Sequence, residues 1–262
     1  MPDEPLYDVI ISRIFKDHHR SGVTEFEFDR AELAEAAKAL GLDDPKNLGD
    51  LIYSFRCRKP LPERIRATAT GELEWIIELA GRAKYRFRLS RVSRILPRED
   101  LIVVKIPDST PEIIATYAQG DEQALLARVR YNRLVDVFLG ITTYSLQNHL
   151  RTTVKGMGQI EIDELYVGVS RNGQQFVIPV QAKGGSDQLA VVQTQQDIAY
   201  CREKYARLKC RPVSAQFMAD GVIAMFELTM EDGLVRVVDE KHYKLVPSAQ
   251  ITAEELRSYA ER

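Results

Sequence analysis

Three residues within GQIEIDELYVGVSRNGQQFVIPVQAKGG, residues 158–185, have types and spacing suited to chemistry: Asp163, Gln181 and Lys183. The run from Phe176 to Ala182 reads as a fully buried strand. An amide at 181 and an amine at 183, two positions apart, project to the same face of it. A buried lysine beside a buried amide is costly unless another group compensates. Asn172-Gly173 signals a tight turn, and a hairpin folded there pairs residues whose numbers sum to about 345. Asp163 then falls opposite residue 182 or so, and an acid, an amide and a lysine meet at one end of a ribbon. Between Ile160 and Val169 the apolar alternation slips at Asp163-Glu164, because Ile160 and Ile162 share one phase while Leu165, Val167 and Val169 share the other. The slip predicts a bulge or bend, a feature that often aims side chains at an active site. Glu161 shares the face of Asp163, and Glu164 points away unless the bend rotates it.

An aspartate near a strand bend, a hairpin, then acid-x-lysine is the pattern of the PD-(D/E)XK nuclease superfamily. Residues 120–215 resemble it, with Gln181-Ala182-Lys183 as the second half of the motif, a Gln-x-Lys variant found in some branches. The surrounding order of helix, bent strand, hairpin, strand, Gly-Gly and helix is similar as well. The resemblance implies a restriction-endonuclease-like α/β domain with a central mixed sheet. It further implies a metal-dependent DNA endonuclease in a restriction or defence role, with Asp163, Gln181 and Lys183 as catalytic residues. Mg2+ is the implied cofactor, with Mn2+ able to substitute, and Asp163, Gln181, the Ala182 carbonyl and Glu161 are its implied ligands. Phosphodiester hydrolysis needs an activated water and stabilisation of charge on phosphate oxygens, both of which a hard cation held by oxygen ligands supplies. Lys183 would orient that water or neutralise the developing charge. Because an amide is a weaker ligand than a carboxylate, a DNA-binding regulator or adaptor with a catalytically inactive nuclease-like domain is the second reading. The resembled enzymes often carry an upstream acid on the preceding helix, for which Asp136 and Gln147 are the candidates here. Gln193 and Asp197, four apart on the following helix, share a face that either lines the site or is solvated. The histidines His18, His19, His149 and His242 are scattered, which argues against zinc and ββα-metal nucleases.

The elements that must position these residues are legible in outline. Residues 6–20 carry a helical apolar pattern ended by Gly22, and 23–28 alternate as a short strand. Asp29 with Glu32 forms a capping box, Phe28 can staple to Leu33, and Gly41 ends that helix. A second helix starts at Asp44-Pro45 and runs to about Lys59, placing Leu48, Leu51, Ile52 and Phe55 on one stripe. GELEWIIELAG and AKYRFRLSR then read as a hairpin turning near Gly81. This order resembles a winged-helix domain over residues 1–95. It implies a DNA-recognition module that uses Tyr53, Arg56, Arg58 and Lys59 on the helix and Lys84, Arg86 and Arg88 on the wing. The other reading of that stripe is a solvated strand interleaved with acids. Residues 96–120 read as a connector, and 121–262 as the nuclease-like domain. Within it, 121–139 and 142–154 read as helical, 187–209 as a helix, 211–247 as strand-rich and 252–261 as a short helix.

Bulk properties exclude several classes. A formal net charge of -2 over 262 residues leaves any nucleic-acid contact to a local patch. No apolar run approaches a membrane span, and the N-terminus lacks the apolar core of a signal peptide. Three cysteines without a CxxC pair make a disulfide framework or a zinc site unexpected and fit a cytoplasmic setting. Double-stranded DNA is the expected partner, and cutting both strands with one site per chain favours a homodimer.

Overall fold

The computed structural model describes residues 5–42, 47–91, 94–117, 122–184 and 187–260. The chain divides into two compact units, one built from residues 1–95, 151–161 and 190–199, the other from 96–150, 162–189 and 200–262.

The first unit begins with α1 (Leu6–His18), β1 (Glu25–Asp29), α2 (Arg30–Ala39) and α3 (Leu48–Tyr53). A wider π-helical turn, Ser54–Arg58, continues α3. Then come α4 (Glu63–Arg66), β2 (Glu74–Gly81), β3 (Lys84–Ser90) and β4 (Arg94–Ile95). The capping box forms as expected, with the Asp29 amide donating to Glu32 Oε1 at 2.7 Å. The expected start at Asp44-Pro45 lies outside the described residues. The described helix starts after Asn47, whose side-chain oxygen accepts from the Gly49 and Asp50 amides. β1, β3 and β2 form an antiparallel sheet in that order. Its buried face joins Phe28, Trp75, Ile77 and Phe87 to Ile10, Ile14, Phe15, Leu33, Leu51 and Ile52 of the helices.

The second unit centres on a mixed sheet of eight strands. Before the sheet's centre come β5 (Val103–Pro107), α5 (Glu112–Tyr117), α6 (Glu122–Tyr131) and α7 (Leu134–Leu139). Then follow β6 (Thr142–Val154), β7 (Gly158–Val169), β8 (Gln175–Lys183), β9 (Leu189–Ala190) and α8 (Val191–Lys204), of which residues 151–161 and 190–199 belong to the first unit. The chain closes with β10 (Lys209–Cys210), β11 (Val213–Phe217), β12 (Val222–Glu231), β13 (Leu234–Val246) and α9 (Ala253–Ala260). The strand order is β5-β13-β12-β11-β8-β7-β6, with β10 also beside β8. β8 runs parallel to β11 and antiparallel to β7, and β13 runs parallel to β5. Leu125, Leu126, Val129, Leu134 and Val135 of α6 and α7 pack on Tyr166, Ile178, Val180, Ala182 and Ala215. That packing makes β8 a central strand, buried from Phe176 through Lys183.

Two expectations are corrected. Residues 96–120 are more than a connector, because β5 joins the sheet beside β13. Residues 142–154 form a strand, not a helix. Leu146, Leu150 and Val154 are spaced by four and mimic a helical stripe, but Gly140, at φ +64, ends α7 before them. Threonines at 142, 143, 152 and 153 favour the extended chain that follows. Among the described residues, no helix is long and apolar enough to cross a membrane.

Candidate active site

The hairpin that carries the three chemistry-bearing residues folds at the expected turn. The Gly173 amide donates to the Ser170 carbonyl at 2.9 Å, with Gly173 at φ +80, where a side chain would be strained. The register pairs Val169 with Gln175 and runs to Glu164 with Val180. One step further in the same count, Asp163 falls opposite Gln181. The Ala182 amide donates to Asp163 Oδ2 at 2.8 Å. The Asp163 carboxylate is thereby held against the segment that contains Gln181 and Lys183. Ala182 itself is buried in the core beneath α6.

Gln181 and Lys183 are each 2% exposed. The compensation that a buried lysine needs comes from Glu122, whose Oε1 lies 2.7 Å from Lys183 Nζ. Glu122 opens α6, 61 positions upstream. An acid of a preceding helix, Glu122, thus meets Lys183, and neither Asp136 nor Gln147 takes that place. Asp136 is occupied at the α7–β6 junction, where it accepts from the Thr143 amide at 2.7 Å and the Thr143 hydroxyl at 2.9 Å. Gln147 is exposed on β6. A first-turn acid on a helix is common enough that nothing in the local sequence singles out Glu122.

Glu164 points away from the face of Asp163, as expected, but the slip expected at Asp163-Glu164 is corrected. Even-numbered positions of β7 are buried from Ile160 through Gly168, so the burial phase does not slip. The apolar pattern only looked shifted because a carboxylate occupies one buried position. Glu164 is 0% exposed, and both its oxygens are engaged, one by the Arg130 guanidinium of α6 and the other by the Tyr166 hydroxyl. Pairing of this kind is what makes a buried carboxylate tolerable. Burial raises the Tyr166 phenol above its ordinary value. Arg130 and Glu122 lie on the same helix, so α6 is tied to β7 and to the end of β8 through charged pairs.

Glu161 lies two residues before Asp163 on β7, half-buried, with Arg151 Nε 3.4 Å from its Oε2. Gln193 and Asp197 on α8 are buried, at 7% and 2% exposure, so the solvated reading of that face does not hold. Among the described residues no three of His, Cys, Asp and Glu cluster. A cation here would therefore rest on the Asp163 and Glu122 carboxylates, the Gln181 oxygen, backbone carbonyl and water. That all-oxygen set fits a hard ion such as Mg2+, which keeps several waters and needs only one or two carboxylates.

The basic residues of the first unit are mostly engaged within it. Arg86 Nη2 lies 2.6 Å from Glu27 Oε1 and Arg88 Nη2 lies 2.5 Å from Glu78 Oε1, both across the sheet. Arg56 is 8% exposed, and Lys59 Nζ sits 2.6 Å from Asp8 Oδ1. Arg94 donates to the carbonyls of Phe55, Arg56 and Lys59 and so closes the π-helical turn. Exposed cations are Arg58, whose guanidinium stacks 4.8 Å from the half-buried Tyr53 ring and whose Nη1 lies 3.4 Å from Asp50 Oδ1, and Lys84. Arg82, at the hairpin tip beside Lys84, is also exposed and was not among the residues expected to touch DNA.

Comparison with known proteins gives little to set beside this geometry. No family model matches the chain, and no solved structure matches it. Among curated proteins, 72 residues, 28% of the chain, are 40% identical to N-acetyl-D-glucosamine kinase from Erwinia tasmaniensis. The chain spans 23% of the length of that kinase.

Proposed function

We propose that this chain is a metal-dependent DNA endonuclease whose centre is Asp163, Gln181, Lys183 and Glu122. The observation that carries the reading is the end of β8, where the Asp163 carboxylate is fixed on the Ala182 amide and a buried Lys183 reaches Glu122. A fold that needed only a packed strand would place apolar residues at 181 and 183, since a buried ion pair seldom gains stability over them. The donor set suits Mg2+, which would supply polarisation of a phosphate oxygen and of a bound water. Asp163 and Gln181 would hold the cation together with Glu122. The Asp163–Ala182 hydrogen bond presets the carboxylate, so no reorganisation is needed at that group. Lys183 would face the scissile phosphate and balance charge as the P–O bond breaks.

The first unit supplies the reading of DNA under this proposal. Its sheet order β1-β3-β2, with helices α1, α2 and α3 before the β2–β3 hairpin, supports the winged-helix reading. Phosphate binding would fall to the exposed Arg82 and Lys84 of the hairpin, joined by Arg58, which is exposed although its Nη1 lies 3.4 Å from Asp50 Oδ1, because Arg56, Lys59, Arg86 and Arg88 are buried or held more closely by acids. A homodimer would cut both strands. The second reading, a DNA-binding regulator or adaptor with an inactive nuclease-like domain, is favoured by the neutral Gln181. The likeness to a sugar kinase covers too little of that enzyme to support phosphoryl transfer here.

Incubation of supercoiled plasmid with the chain, with and without Mg2+ or Mn2+, separates the two readings. We expect metal-dependent nicking that Asp163→Asn abolishes while the fold and DNA affinity remain. Equal cleavage by folded Asp163→Asn and parent removes Asp163 from the mechanism, and no cleavage by the parent with either metal selects the regulator.

A further inference from the structure

The two edges of the eight-stranded sheet differ in kind. β5, at one end, is five residues long, carries Lys105 and ends at Pro107. Its Lys105 amide donates to the Tyr259 hydroxyl of α9 at 3.1 Å. Shortness, a lysine, a proline and a covering helix are the devices that keep a sheet edge from pairing with another strand. β6, at the other end, is 13 residues long, and its first nine carry no lysine and no proline. The segment TTYSLQNHL, residues 142–150, contains no Asp, Glu, Lys, Arg, Pro or Gly. Residues 144–149 are exposed without a break, on both faces of the strand, with Tyr144 at 61% and Leu146 at 49%. His149, at φ +51, interrupts the extended backbone, so the flat part of the edge is 142–148.

We propose that residues 142–148 of β6 form a homodimer interface in which two copies pair edge to edge, antiparallel, so that one sheet continues through both. Charge decides the occupant. A nucleic acid would require cations on this edge, and the segment holds no Lys or Arg. A two-fold contact brings every residue near its axis against its own symmetry mate or a close neighbour, so any charge there would meet a like charge. A neutral strand is the composition that such a contact tolerates. With the axis at Ser145, Tyr144 of each copy faces Leu146 of the other. Two exposed apolar pairs are then covered on one face, and backbone groups of both edges are joined. The inference stands on β6 alone and does not depend on the nuclease reading.

Charge variants at Ser145 test it, because that side chain is exposed and packs in no core. Light scattering and sedimentation velocity on the full chain, over about 1–100 μM, give the association constant. The parent is expected to dimerise. S145K and S145E should each associate at least about tenfold more weakly, since like charges meet at the axis, and their equimolar mixture should recover the dimer. Circular dichroism melts matching the parent's will show that both variants fold, and recovery in the mixture is a second proof of native structure. A parent that stays monomeric throughout overturns the proposal. So do variants that dimerise as tightly as the parent, a mixture that stays monomeric, or a monomeric parent whose DNA affinity falls on S145E.

Discussion

Replacing Lys183 by Met keeps an unbranched side chain of similar length and deletes a charge from the end of β8. The Lys183 side chain is 3% exposed and that of Glu122 is 36% exposed. Placing an ammonium there costs several kcal/mol of hydration, and a partner that is itself partly hydrated offsets only part of it. Exchanging a buried ionic group for an apolar one of like volume is commonly neutral to stabilising by about 1–4 kcal/mol. Glu122, left behind, keeps its solvated side, so little is lost on that account. We expect Lys183→Met to gain 0 to about 2 kcal/mol, which in a chain of this size raises the melting temperature by up to ~8 °C. Glu122→Gln acts in the opposite sense, because it strands the ammonium in the interior. Its cost should fall near or below the low end of the roughly 3–5 kcal/mol for breaking a fully buried pair, given the exposure of Glu122. Differential scanning fluorimetry reads the stabilities, and plasmid nicking with Mg2+ reads the function, which both substitutions should abolish. A Lys183→Met chain that unfolds more than about 2 kcal/mol more easily than the parent would refute the reasoning. Lys183 would then be a structural strut, and its burial would no longer point to chemistry.

Gln181→Glu restores a carboxylate of nearly the same shape, so we expect cleavage to persist with half-maximal activity at lower Mg2+, read by a metal titration of nicking. Alanine at Arg58, Arg82 and Lys84 together should weaken DNA binding and flatten its salt dependence, by up to roughly 0.9 for each phosphate no longer neutralised, read by fluorescence anisotropy across a salt series. An unchanged slope would remove the first unit as the DNA reader. Burial pushes the Tyr243 phenol up to about 12, from an ordinary 10.0. Between those values the folded chain holds a proton that the unfolded chain has released, so stability falls as pH rises through that window. Tyr243→Phe should lose less stability than the parent between about pH 9 and 11.5, measured by urea melts, and equal losses would show that this phenol is not buried in solution.

The hairpin that carries Asp163, Gln181 and Lys183 was determined locally. Asn172-Gly173 set the turn, the turn set the register, and alternation put the amide and the lysine on one face. The Asp29-Glu32 capping box and the alternating stripe of β3 were equally legible, because they are short-range signals. Other features were decided by the tertiary structure. Glu122 meets Lys183 only because α6 packs on the sheet, and no pattern in either segment encodes a pairing across 61 positions. Glu164 disguised the burial phase of β7, since a carboxylate can occupy a core position only when Arg130 and Tyr166 arrive to satisfy it. β6 was misread because a largely exposed edge strand has no buried face to impose alternation, and β5 because its partner β13 lies more than 130 residues onward. The basic stripe of β3 was plain in the sequence. Its neutralisation by Glu27 and Glu78 was a matter of register, which only the folded sheet specifies. Propensity and alternation act within a few residues, whereas ion pairing, edge position and burial depend on which distant segments the core brings together.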